Sequence, residues 1–170
     1  MTREEKSGCQ AWRWRKNPSV SGPLSVDLVG TWELLAREDR TVSGELRVDP
    51  GLGADPVALL VYDRDGNFAA QFMKRDRSFT LAADAASAGP NNSRSRGGYD
   101  AYFGTYTVDD TMGTVTQRLV GALSPENVGL VLTRAMTVAG DELTIRLQTA
   151  TASGEAIERT LRWRRVGRSA

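Results

Sequence analysis

The sequence predicts an all-β protein: a single antiparallel up-and-down β-barrel of eight to nine strands, with a short helix or lid loop near residues 78–98. Three observations carry that expectation. Short stretches of alternating apolar and polar residues recur along the chain, separated by clusters of Gly, Pro, Asp and Asn. Helix-forming composition is confined to residues 81–88. Residues 102–119 read as a hairpin, with aromatic and β-branched residues on both sides of the turn Asp109-Asp110-Thr111-Met112-Gly113.

Residues 1–25 mix charge, Ser, Gly and Pro around Trp12-Arg13-Trp14, and are expected to be a flexible extension or a lid whose tryptophans cover a cavity mouth. The barrel domain is expected over 26–168. Its first strand carries Trp32, Leu34 and Ala36 as an inward row, with Glu33 and Arg37 facing out. A short strand over 44–48 leads into a loop dense in Gly, Pro and Asp at 49–56. The apolar strand 57–62 turns at Asp63-Arg64-Asp65-Gly66, where Gly66 adopts positive φ at no steric cost. The returning strand 67–73 places Gln71 with Ala69 and Met73 on the face taken as inward.

Residues 74–98, ending in the loop 89–98, form a connection too long to be simple within a β domain; it is either mobile or functional, and a pocket cap would sit there. In the hairpin, Tyr102, Gly104 and Tyr106 share one face, and Val115, Gln117 and Leu119 share one face of the partner strand. After a Pro-containing bend, Leu130, Leu132, Arg134, Met136 and Val138 alternate inward, so Arg134 stands in an apolar row. Leu143, Ile145 and Leu147 follow, and the closing strand carries Leu161 and Trp163 inward.

Composition narrows the function. A chain of 170 residues suits one domain with a real core. Basic and acidic side chains number 22 and 21, a balance that argues against nucleic acid or an anionic membrane surface as partner. One cysteine, Cys9, permits no internal disulfide, and no apolar run approaches a membrane span of ~18 residues, so a cytoplasmic protein is expected. Histidine is absent. Ser-His or Cys-His catalysis and most zinc or iron sites therefore lose their usual members, and neither metal nor cofactor is expected.

Several stretches, in order, resemble the bacterial lipocalin-like domain family. They are Leu28-Val29-Gly30-Thr31-Trp32, Leu59-Leu60-Val61-Tyr62 with Asp65-Gly66, Gln71-Phe72-Met73, and Ala101-Tyr102-Phe103-Gly104-Thr105-Tyr106. Pro125, Val128-Gly129, Arg134, Gly140-Asp141 with Leu143, and Trp163 with Arg165-Val166 continue the match over about residues 27–166. The resemblance implies a calyx, a barrel open at one end around a small apolar ligand. It also implies that Gly30 and Trp32 seal the closed end, with Arg165 or Arg164 stacked over the indole, a contact worth about 0.5–2 kcal/mol. Where the family pattern carries His on the strand after Gly104-Thr105-Tyr106, this chain has Gln117, so imidazole chemistry does not transfer.

The candidate site is the set of polar tips assigned to inward rows. Arg134, Gln117 and Tyr102 are the candidate catalytic groups; Gln71, Tyr106, Tyr62, Met73 and Met136 are candidate ligand contacts. Buried polar groups must find partners, so these side chains either satisfy one another, with Arg134 paired to Asp100 or a loop carboxylate, or grip the oxygens of a ligand. Two functions fit. One is a cofactor-free cyclase or isomerase acting on a polyketide-like secondary-metabolite intermediate, using proximity and a polarised carbonyl. The other is a non-catalytic small-molecule binding or carrier protein. The expected partner is a small apolar molecule, and a homodimer is compatible with the sequence.

Overall fold

Strand alternation closes on itself because the first long strand pairs on both sides. The computed structural model describes residues 22–77 and 89–167. In chain order these form helix α1 (Leu24–Asp27), strands β1 (Gly30–Thr41), β2 (Leu46–Arg47), β3 (Val57–Tyr62), β4 (Asn67–Met73), β5 (Tyr99–Asp109) and β6 (Thr114–Ala122), a 3-10 turn (Pro125–Asn127), and strands β7 (Val131–Ala139), β8 (Glu142–Ala150) and β9 (Ala156–Val166). Every neighbour is antiparallel, and β1 pairs with both β3 and β9. The result is a closed eight-stranded up-and-down barrel with β2 added along the far half of β1. The expected all-β barrel is borne out. The helix anticipated over 81–88 and the arm with Trp12 and Trp14 lie outside the described residues.

The turns 63–66, 109–113 and 139–141 gather at one end of the barrel, and the longer connections 42–56, 89–98, 123–130 and 151–155 gather at the other. The first end is sealed. Trp32 is fully buried and donates its indole N–H to Leu28 O at 2.9 Å. The Arg165 guanidinium lies 4.0 Å above its ring and donates to the carbonyls of Val29 and Asp27 at 2.7 and 2.5 Å. Of the two candidate arginines, Arg165 does the stacking, while Arg164 pairs with Glu33 on the outer surface. Gly30 is required beside it. Its φ is +146°, and a Cβ there would lie 2.5 Å from Arg165 Nη1.

Inward rows from all eight strands fill the centre, among them Leu60, Tyr62, Phe68, Phe72, Val115, Leu119, Leu132, Leu143, Ile145, Leu161 and Trp163. Burying each large apolar side chain contributes roughly 1.5–3 kcal/mol. Two expected rows differ from the structure. In β1 the pairing to β9 shifts between Leu34 and Ala36, a β-bulge in which Leu35 is extra. Ala36 is thereby turned off the inward row, and Arg37, expected outside, points in, followed by Asp39 and Thr41. In β4 the inward residues are Phe68, Ala70 and Phe72, so Gln71 and Met73 face out. The register decides this: Phe68 lies opposite Tyr62 and Ala70 opposite Leu60, and directly opposed residues share a face. Two phenylalanines outbid one glutamine and one methionine for the interior.

Candidate functional site

A chain of polar groups runs through the apolar interior. Gln117, on the inward row of β6, donates its amide N–H to the Tyr62 hydroxyl at 2.7 Å, and that hydroxyl points to Met136 Sδ at 3.7 Å. On the other side Gln117 accepts from Arg134 Nη1 at 3.2 Å. The same nitrogen reaches the Tyr102 hydroxyl at 3.5 Å. Arg134 is 5% exposed, and its Nε–H has no partner among the described residues. No carboxylate of the described residues pairs with it, so the expected ion pair with Asp100 or a loop carboxylate is not formed. Burial pushes the Tyr62 phenol far up, against the opposing pull of Arg134, so Tyr62 is a neutral hydroxyl that orients Gln117.

Toward the end with the long connections lies a cavity of about 40 Å³, lined by Phe72, Tyr102, Leu161, Leu52, Ser93 and Asp100 among others. That volume admits a functional group or a few waters rather than a whole ligand. Leu52 and the 92–95 stretch cover the barrel mouth. Asp100 sits on the inward row of β5, two residues before Tyr102, and is 3% exposed. Its Oδ2 accepts from Ser93 Oγ at 2.5 Å, and its Oδ1 is buried without a partner among the described residues. Burial raises its pKa to about 6, with the Ser93 hydrogen bond and the Arg134 charge opposing the rise.

The bulge in β1 builds a second polar cluster beside this cavity. Arg159 grips Asp39 with both ends of its guanidinium, at 2.7 and 2.8 Å, and donates to Asn92 at 3.0 Å. Arg37 bonds Asp39 at 3.1 Å and Asp49 at 2.6 Å. Burial works against the Asp39 charge, but the Arg159 hydrogen bonds and the Arg37 charge outweigh it and hold its pKa below the usual carboxylate range. Asp49 is lowered likewise against its burial, chiefly by Arg37. Two cations and two anions satisfy one another, which ties the 49–53 and 89–98 loops to the barrel. This cluster is a fastening rather than a reactive site.

The structure therefore brings together Arg134, Gln117, Tyr102, Tyr62 and Met136. It leaves three expected contacts elsewhere. Tyr106 is half-buried near the sealed end and donates to Asp63 O at 2.6 Å. Gln71 and Met73 stand outside the barrel, where they line an outer groove of about 350 Å³ with Val57, Leu59 and Tyr99. Gln71 accepts there from the Tyr99 hydroxyl at 2.8 Å. Sequence reasoning named Asp100 only as an ion-pair partner of Arg134, and overlooked Ser93 beside it and Arg159 in the fastening cluster. Alternation did carry a signal for two of them: Asp100 is in phase with Tyr102, and Arg159 with Leu161 and Trp163. Ser93 gave none, because it reaches the interior from a loop.

Among the described residues no helix is long and apolar enough to cross a membrane, and no group of three His, Cys, Asp or Glu is placed to hold a metal ion. The family model of the lipocalin-like domain matches residues 29–166. A search of curated proteins finds no match.

Proposed function

Because the chain belongs to the lipocalin-like domain family, whose barrel fits small-molecule binding, we propose that it takes a small, largely apolar molecule with a carbonyl or hydroxyl oxygen at the inner end of the mouth cavity. The observation that carries this reading is the Arg134 guanidinium: buried and, among the described residues, bonded to neutral groups alone and left with an N–H unused. An orphaned charge-bearing donor in a low-dielectric interior is expensive unless something accepts from it. A ligand oxygen beside Tyr102 would supply the acceptor, while Phe72, Leu161 and Leu52 cover its apolar carbons.

On the same reading the protein acts as a cofactor-free isomerase or cyclase on a flexible, carbonyl-bearing metabolite of polyketide type. The supporting feature is a fixed cation that polarises a carbonyl and stabilises negative charge developing on its oxygen. The non-catalytic alternative, a carrier, uses the same anchor with no turnover. Native mass spectrometry of protein from its own host, with Arg134→Met alongside, tests the binding reading. A retained oxygen-bearing small molecule that disappears in the variant is expected. Retention unaffected by Arg134→Met would overturn the anchoring role.

A further inference from the structure

We propose that Asp100 is the proton-exchanging group of this barrel and that the molecule it takes is an enolisable carbonyl compound, an inference resting on the reading that Arg134 holds the ligand oxygen. Three carboxyls lie at or beside the mouth cavity. Asp39 and Asp49 are locked to Arg37 and Arg159 and have no lone pair to offer a substrate. Asp100 differs from both. Among the described residues it forms no ion pair; one oxygen is fixed by Ser93, and the other is buried with no partner there, in a residue that lines the cavity. Asp100 and Tyr102 line the same cavity.

A base that lines the cavity, and a carbonyl-polarising cation that reaches the hydroxyl of Tyr102 on the cavity wall, define a reaction class. The Asp100 carboxylate accepts a proton from the carbon next to the ligand carbonyl. The C–H electron pair becomes the carbon–carbon π bond of an enolate, and the carbonyl π pair moves onto oxygen, where Arg134 and the Tyr102 hydroxyl meet it. Asp100 then returns the same proton. Delivery to the original carbon gives hydrogen exchange; delivery to the far end of a conjugated enolate moves a double bond. No electrons enter or leave, and no co-reactant is consumed. The charged groups around Asp100 are Arg134 from β7, Arg37 from β1, Arg159 from β9 and Asp49 from the loop, with neutral Tyr102 on its own strand. With a native pKa of about 6 it is largely ionised at neutral pH yet remains a stronger base than an exposed aspartate.

The test uses acetone, an enolisable ketone little larger than the functional group the cavity admits, as probe in deuterium oxide, following α-proton loss by NMR and binding by saturation transfer from the protein. Wild type is expected to show saturation transfer and to accelerate α-proton loss, with a pH profile rising through about 6. Asp100→Asn should lower the exchange rate per bound ketone by at least about tenfold, in line with the size of general-base effects. Ser93→Ala keeps the carboxyl but removes the donor that lowers its pKa, so its profile should move to higher pH; this arm survives even if Asp100→Asn fails to fold. Saturation transfer without exchange above buffer, or an unmoved Ser93→Ala profile, overturns the proton-exchange role and leaves the Arg134 reading standing. Absence of saturation transfer to the wild-type barrel overturns both.

Discussion

Arg134 donates to the side-chain oxygen of Gln117 at 3.2 Å, so the nearest partner of this buried cation is a neutral amide that is itself held by Tyr62. The arrangement orients the guanidinium without cancelling its charge. A carboxylate in the same place would have done the opposite.

Two substitutions at Gln117 separate these roles. Gln117→Leu removes a hydrogen bond to a charged group and should lower stability by about 1.5–3 kcal/mol in denaturant unfolding. Gln117→Glu neutralises the cation, so it should keep more of the stability than the leucine variant while weakening retention of an oxygen-bearing ligand at least tenfold. Equal retention in the glutamate variant and wild type would show that the free charge of Arg134 is immaterial.

The sealed end gives a second expectation. Arg165→Ala loses the stack on Trp32 and two bonds to backbone carbonyls, and should cost about 2–4 kcal/mol. Gly30→Ala should also destabilise, through its positive φ and through the clash with Arg165. In the double variant the clash vanishes while the backbone strain stays. The combined loss in thermal unfolding should therefore be smaller than the two single losses added together.

Stability should respond to pH in opposite senses at two places. Asp39 and Asp49 have lowered native pKa values, so their contribution is present above the unfolded value of about 4 and is lost as pH falls through the native values. Asp100 is raised to about 6, so between about pH 4 and 6 the folded state binds a proton that the unfolded chain has released. Stability falls as pH rises through that window, by up to about 3 kcal/mol at about 1.36 kcal/mol per pH unit. Asp100→Asn should flatten that decline in unfolding curves at pH 4 and 7. An unchanged slope would place the Asp100 pKa elsewhere.

The β1 bulge is testable by deletion. Leu34 pairs with Trp163 and Ala36 with Arg162, leaving Leu35 over. Reducing Leu34-Leu35 to a single leucine should preserve the register and keep Arg37 and Asp39 inward, with a cooperative transition and a barrel-type circular dichroism spectrum. Loss of the folded barrel would mean that the extra residue is needed for closure rather than merely accommodated.

How much of this was legible beforehand follows from what a one-residue error does to a strand. Period-two patterning placed Gln117, Arg134 and Met136 correctly because alternation holds along β7 and along β6 as far as Leu119, before the register shift against β5. It failed after Leu34, where a bulge inverts inside and outside with no sequence mark, so Arg37 read as a surface charge. In β4 the pattern was symmetric, with apolar residues on both faces, and only pairing with β3 decided that Phe68 and Phe72 go in while Gln71 and Met73 go out.

By itself the sequence determined the barrel and its antiparallel order, because those depend on local alternation and turn residues, while the Gly30–Trp32 seal was implied by the family resemblance. The tertiary structure decided which polar groups share a space. Asp100 is held by Ser93 reaching in from a loop, and Arg159 is claimed by Asp39 from a strand 120 residues away in the chain. Such choices rest on competition among distant partners for a few buried donors, and no local pattern records who wins.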